Sequence, residues 1–185
     1  MTQEERAELM RIVRELSYEQ REVTLASGRK SNFYFDGKQT TLHPRGGLLV
    51  GKAFYDEVKQ FAGPLHGVGG LTLGADPIAT ATSIAAQLEG ADLAAFIIRK
   101  EPKGHGTGQW LEGRKNLPPG SRVVIVEDVT TTGGSSIKAV ERAREEGLEV
   151  VGIVTLVDRE EGARENVEGQ GIALRAVFTR TEVVG

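Results

Sequence analysis

The stretch RVVIVEDVTTTGGSS, residues 122–136, decides how this chain is read. Val123, Val124, Ile125 and Val126 form an unbroken apolar run, as in a strand buried on both faces of a parallel sheet. Ligands of such sheets bind beyond the carboxyl ends of the strands, and there the run meets two adjacent acids, Glu127 and Asp128. Successive strand residues point to opposite faces, so the two carboxylates flank the strand end. Thr130, Thr131, Thr132, Gly133, Gly134 and Ser135 follow, offering hydroxyls and closely approachable backbone N–H groups. They precede a predicted helix, whose N-terminus favours anions. Acids that accept from sugar hydroxyls beside an anion cradle describe a site for a phosphorylated sugar. An acidic loop with ordinary Ser and Thr helix caps would give the same local string.

The rest of the chain supplies a sheet for that strand. Thr2 and Glu5 predict a capping box opening a helix, with Leu9, Ile12, Val13 and Leu16 as its apolar stripe. Residues 22–37 (EVTLASGRKSNFYFDG) predict two short strands about a Ser-Gly turn. Helices are predicted over 45–61 and 76–88, strands over 65–70 and 92–100, and then a glycine-rich loop to Gly113. The helix after the opening stretch stops at Gly147, and strands over 149–159 and 172–178 complete the series. Strands alternating with helices predict an α/β fold with a mainly parallel central sheet flanked by helices. The first forty or so residues fall outside the alternation and predict a small separate lobe.

With 185 residues, 39% hydrophobic and 26% charged, the chain suits one soluble domain spanning residues 1–185. Acids and bases are interspersed at a net charge of −3, which gives no broad nucleic-acid-binding face. The absence of cysteine excludes disulfides, thiolate metal sites and cysteine nucleophiles. The N-terminus reads as a polar helix rather than a signal peptide, and no apolar run is long enough to span a bilayer, so a cytoplasmic protein is expected. GGLLVGKA (46–53) has the phosphate-loop spacing but places Ala53 where a Ser or Thr is needed, and reads as a helix packed on the sheet. GVGG (67–70) lacks the third glycine of a dinucleotide fingerprint.

As a whole, residues 123–136 resemble the phosphoribosyl pyrophosphate signature of type I phosphoribosyltransferases. The resemblance implies that Glu127 and Asp128 hold the ribose hydroxyls and that Val129, Thr130, Thr131, Thr132, Gly133, Gly134 and Ser135 clasp the 5-phosphate. Three further segments are similar to orotate phosphoribosyltransferases, in family order. Arg99, Lys100, Lys103 and His105 fall in a glycine-interrupted segment like that family's catalytic loop, placed here at 100–113 and implied to serve the neighbouring subunit of a homodimer. SGRKSNFYFDGK (27–38) is similar to the family's N-terminal hood, formed here by about residues 1–40, and assigns Ser27, Arg29, Lys30, Phe33, Tyr34 and Phe35 to the orotate pocket. By spacing alone the three aromatics read as core. LVDREEG (156–162) is similar to a late strand whose Arg, here Arg159, meets orotate together with Thr131. Taken alone, Arg159 is equally a surface ion-pair partner. Ala26 and Leu73-Gly74 stand where many members carry Lys and Tyr-Lys, leaving the backbone of residues 73–76 to meet pyrophosphate.

The implied reaction is ribose 5-phosphate transfer from phosphoribosyl pyrophosphate to orotate, a step of pyrimidine nucleotide synthesis. Mg²⁺ is implied as cofactor, held mainly by the substrate's pyrophosphate with no direct protein ligand. The alternatives are transfer to another base, or a regulatory protein that senses phosphoribosyl pyrophosphate on the same fold. The carboxylate-seeking Arg159 disfavours the first. The lack of a winged helix or basic stripe disfavours the second.

Overall fold

A computed structural model describes residues 1–24, 30–102 and 110–185. In chain order its elements are α1 (Gln3–Ile12), a π-helical turn (Val13–Ser17), β1 (Tyr18–Glu19), β2 (Val23–Thr24), β3 (Lys30–Ser31), β4 (Tyr34–Phe35) and α2 (Gly37–Thr41). Next come α3 (Pro44–Val58), β5 (Gly67–Leu71), α4 (Ala75–Leu88), β6 (Ala94–Ile98), β7 (Leu111–Glu112) and β8 (Arg122–Thr130). The chain then forms α5 (Gly134–Glu145), β9 (Glu149–Asp158), α6 (Ala163–Glu168), β10 (Ala173–Thr179) and α7 (Arg180–Val184).

The main sheet runs β10-β9-β8-β5-β6-β7, parallel except for the antiparallel edge strand β7, which the sequence reading missed. β8 is buried on both faces, as its apolar run predicts. Val124 and Val126 join Leu49, Phe54 and Ile78 on the side of α3 and α4. Val123 and Ile125 join Ala139, Val140 and Val167 on the side of α5 and α6.

The predicted Thr2–Glu5 capping box is present. Leu9, Ile12 and Val13 belong to the main core, so α1 is part of the principal packing rather than of a separate lobe. Leu16 departs from the expected apolar stripe and is 41% exposed. The helix widens to a π turn over Val13–Ser17, which rotates the next residues and turns Ser17 inward to bond Thr40 Oγ1 at 2.7 Å. Over 22–37 the predicted pair of short strands is present as β2 and β3, which pair antiparallel; β4 follows as a third two-residue strand and pairs with β1, which precedes this stretch.

The phosphate-loop look-alike lies inside α3, where Leu49, Val50, Ala53 and Phe54 are buried. A Cβ at Gly51 would stand 2.5 Å from the Ala81 carbonyl oxygen, so this glycine lets α3 close on α4.

Candidate active site

Strand order places the site. From β5 the chain crosses by α4 to β6 on one side; from β8 it crosses by α5 to β9 on the other. The crevice beyond β5 and β8 is therefore the topological switch point, where open α/β sheets bind ligands. The ladder between β5 and β8 ends at Gly69 with Ile125, whereas β8 stays paired to β9 as far as Thr130 with Asp158. Glu127 and Asp128 lie on the stretch of β8 that has lost its β5 partner.

Two expectations for these acids meet different outcomes. They do point to opposite faces: Glu127 accepts from Ser135 Oγ at 2.9 Å, whereas Asp128 lies against Gly37 and Gly74. They do not end the strand, because β9 keeps pairing with Glu127, Val129 and Thr130. Both are consequently well buried, at 7% and 8% exposure. Burial first, and then the neighbouring Asp128 charge, push the Glu127 carboxyl up to about 8, against an ordinary 4.5. A Cβ at residue 74 would come 2.8 Å from Asp128 Oδ1, and one at residue 37 would come 2.7 Å from its Cβ. Only glycine at these two positions leaves a slot for the Asp128 side chain where it stands.

The loop from Thr131 to α5 is fixed from both sides. Gly133 takes φ +80°, and Asn166 Nδ2 donates to the Thr132 carbonyl at 3.0 Å. Thr131 is half-buried, while Thr132 and the first two residues of α5, Gly134 and Ser135, are exposed. The buried hydroxyls bracketing this loop, of Thr130 and Ser136, have no hydrogen-bond partner among the described residues. Across the crevice, Asp76 Oδ2 accepts from Thr72 Oγ1 at 2.6 Å, and its buried Oδ1 also lacks a partner among the described residues.

The other predicted residues divide into three groups. Ser27 and Arg29, and likewise Lys103 and His105, lie outside the described residues. Arg99 is ion-paired to Glu112 at 3.0 Å, Lys100 is exposed, and Lys30 is exposed and paired to Glu22 at 2.8 Å. Phe33, Tyr34, Phe35 and Arg159 gather under the N-terminal strands. Phe33 is 1% exposed and packs on Tyr18 and Phe35, so its ring is core, as spacing alone implies. Tyr34 carries Arg21 over its ring at 3.9 Å. Arg159 is no surface residue: it is 7% exposed, bonds Glu161 at 2.8 Å and stands 5.2 Å from the Phe33 centroid.

Lys38 lies beside the site but is assigned no role by any of the four motifs. Its Nζ lies 2.7 Å from Asp36 Oδ1; that bond, and at longer range the charge of Asp128, hold its pKa above the ordinary lysine value. A capping Asp followed by Gly and Lys was the available signal.

Residues 43–170 match the phosphoribosyl transferase domain family. An orotate phosphoribosyltransferase of Aquifex aeolicus is 46% identical, over 97% of this chain and 98% of its own length. The chain belongs to the orotate phosphoribosyltransferase family. Another orotate phosphoribosyltransferase, from Bradyrhizobium diazoefficiens, is 48% identical over 96% of this chain and 95% of its own. Among solved structures, the Mycobacterium tuberculosis orotate phosphoribosyltransferase in complex with 5-phospho-α-D-ribosyl 1-diphosphate superimposes with a TM-score of 0.81 at 39% identity, covering 98% of this chain and 99% of that one. An adenine phosphoribosyltransferase of Rhodothermus marinus, 18% identical with a TM-score of 0.61, shares the fold alone. In this orotate phosphoribosyltransferase fold the acids and the Thr/Gly loop occupy the crevice, with Arg159 and the N-terminal aromatics at its β9 side.

Proposed function

We propose that the protein transfers ribose 5-phosphate from 5-phosphoribosyl 1-pyrophosphate to N1 of orotate, giving orotidine 5′-monophosphate and pyrophosphate in pyrimidine nucleotide synthesis. The observation that carries this reading is the pairing, at the switch point, of two buried acids with a hydroxyl-rich loop whose bracketing hydroxyls lack partners among the described residues. Glu127 and Asp128 accept from the ribose 2- and 3-hydroxyls. Backbone N–H groups and hydroxyls of residues 129–135 hold the 5-phosphate at the start of α5. Arg159 meets the orotate carboxylate and Thr131 the base, while the part of residues 1–40 that follows α1 forms the hood.

Displacement at C1 builds positive charge on the ribose ring and negative charge on the leaving pyrophosphate. Catalysis is therefore mainly electrostatic. Arg99, Lys100, Lys103 and His105 close over the pyrophosphate, and closure keeps water from the activated sugar. Mg²⁺ would be held mainly by the oxygens of the substrate's pyrophosphate, with no direct protein ligand. When bound it neutralises pyrophosphate charge.

The lid acts across a homodimer. Leu42, Leu48, Leu73, Ile84 and Leu88 are exposed large apolar side chains. They line two hollows on α3 and α4 that share Ala81 and Ile84. Leu73 and Asp76, beside the Asp128 slot, belong to one of them, so this face is continuous with the site and suits a second copy of the chain. No helix among the described residues is long and apolar enough to cross a membrane, and a cytoplasmic location suits the substrates.

A base panel tests the assignment. With phosphoribosyl pyrophosphate and Mg²⁺, the ultraviolet absorbance of orotate is expected to decline, with no turnover of adenine or uracil. Turnover of either of those bases without turnover of orotate would refute it.

A further inference from the structure

We infer that Arg180 is a second guanidinium for the acceptor's carboxylate, working beside Arg159. The inference rests on the proposed orotate chemistry and extends it to a residue that no motif marks.

Sheet register brings the two arginines together. Thr130 pairs with Asp158, and Asp158 with Thr179, so three adjacent strands end at one level. The residues that follow them are Thr131, Arg159 and Arg180, side by side along the carboxyl edge. Both guanidiniums reach the same ring: Arg159 Cζ stands 5.2 Å and Arg180 Cζ 5.4 Å from the Phe33 centroid, within cation–π range. Phe33 thus positions two cations where the N-terminal strands meet the sheet.

Their partners differ. Arg159 already bonds Glu161 at 2.8 Å. The Arg180 guanidinium makes no hydrogen bond or ion pair among the described residues. Its charge is felt by Glu160, whose Oε2 accepts from the Thr181 N–H and hydroxyl at 2.8 and 2.6 Å, but the two side chains form no ion pair. A half-buried guanidinium held over a ring, with no carboxylate in ion-pair contact among the described residues, is matched to an anion that arrives with the ligand. A guanidinium binds a planar carboxylate through a fork of parallel N–H donors.

The test compares two nucleotides that differ only in the carboxylate, orotidine 5′-monophosphate and uridine 5′-monophosphate. Calorimetric titration of the wild type, Arg180→Gln and Arg180→Lys gives each protein's preference between them. Arg180→Gln is expected to cut the wild-type preference by about tenfold or more, while affinities for uridine 5′-monophosphate and phosphoribosyl pyrophosphate stay within about twofold. Arg180→Lys, which keeps the charge and guards against a folding defect in the first variant, is expected to lose part of the preference. An unchanged preference in both variants, or a parallel loss for all three ligands, would overturn the inference and leave the proposed reaction standing. A wild type that binds neither orotidine 5′-monophosphate nor phosphoribosyl pyrophosphate would remove both.

Discussion

Replacing Glu127 with Gln is expected to stabilise the free protein at alkaline pH while destroying its affinity for phosphoribosyl pyrophosphate. Glu127 is buried beside Asp128, and its carboxyl is held up at about 8 rather than 4.5. The folded chain therefore keeps a proton that the unfolded chain has released between those two values. Stability contributed by this group is full below pH 4.5, falls as pH rises toward 8, and is lost above it. At ~1.4 kcal/mol per unit the ceiling on that loss is roughly 5 kcal/mol, and relaxation around a charged Glu127 reduces it to a few kcal/mol. Gln keeps an acceptor for Ser135 Oγ and never ionises, so the slope disappears. Urea denaturation of the ligand-free protein from pH 5 to about 8.5 measures this. The two proteins should be equally stable at the acid end, and the variant should be more stable by about 2 kcal/mol or more at the alkaline end. Parallel curves across that range would refute the argument that Glu127 is buried at a cost the ligand offsets.

The same reasoning makes binding proton-linked: titration of phosphoribosyl pyrophosphate near pH 7, repeated in buffers of different ionisation enthalpy, should show a proton released from Glu127, and identical heats would contradict it. Gly74→Ala places a methyl 2.8 Å from Asp128 Oδ1 and should lower kcat/KM by about tenfold or more with little change in melting temperature; unaltered kinetics would show that the slot is not needed. Ile84→Glu puts a charge at the centre of the apolar face and is expected to give a monomer of low activity in sedimentation velocity, whereas an active dimer would move the interface elsewhere. Mixing inactive Lys103→Ala and Asp128→Asn subunits should restore activity through heterodimers carrying one intact site, and no recovery after verified exchange would argue for a lid acting within its own subunit.

The parts legible in the sequence are those where one physical signal dominates. The 123–126 run could be placed at the centre of a sheet because both its faces are buried, and the Thr2–Glu5 box because two side chains cap each other's backbone. What escaped depends on partners distant in sequence. The strand continues through Glu127 and Asp128 because β9 pairs with Glu127, Val129 and Thr130, which local composition does not reveal. β7 has two residues and exists only as a partner of β6. Leu16 obeyed helical spacing until the π turn broke it. At the site, the ED-TTT-GG string and Arg159 were readable as motifs. Lys38 was marked only by the capping Asp36 before it, and Arg180 by nothing local, since their relation to Asp128 and Phe33 comes from α2 packing and from strand register.

The most direct measurement is ³¹P NMR of the products formed from orotate, phosphoribosyl pyrophosphate and Mg²⁺ by the wild type and by a Glu127→Gln/Asp128→Asn variant. The account predicts orotidine 5′-monophosphate and pyrophosphate in equal amounts from the wild type, and neither from a folded variant. Full turnover by the variant, or pyrophosphate released by the wild type without a nucleotide product, would contradict it.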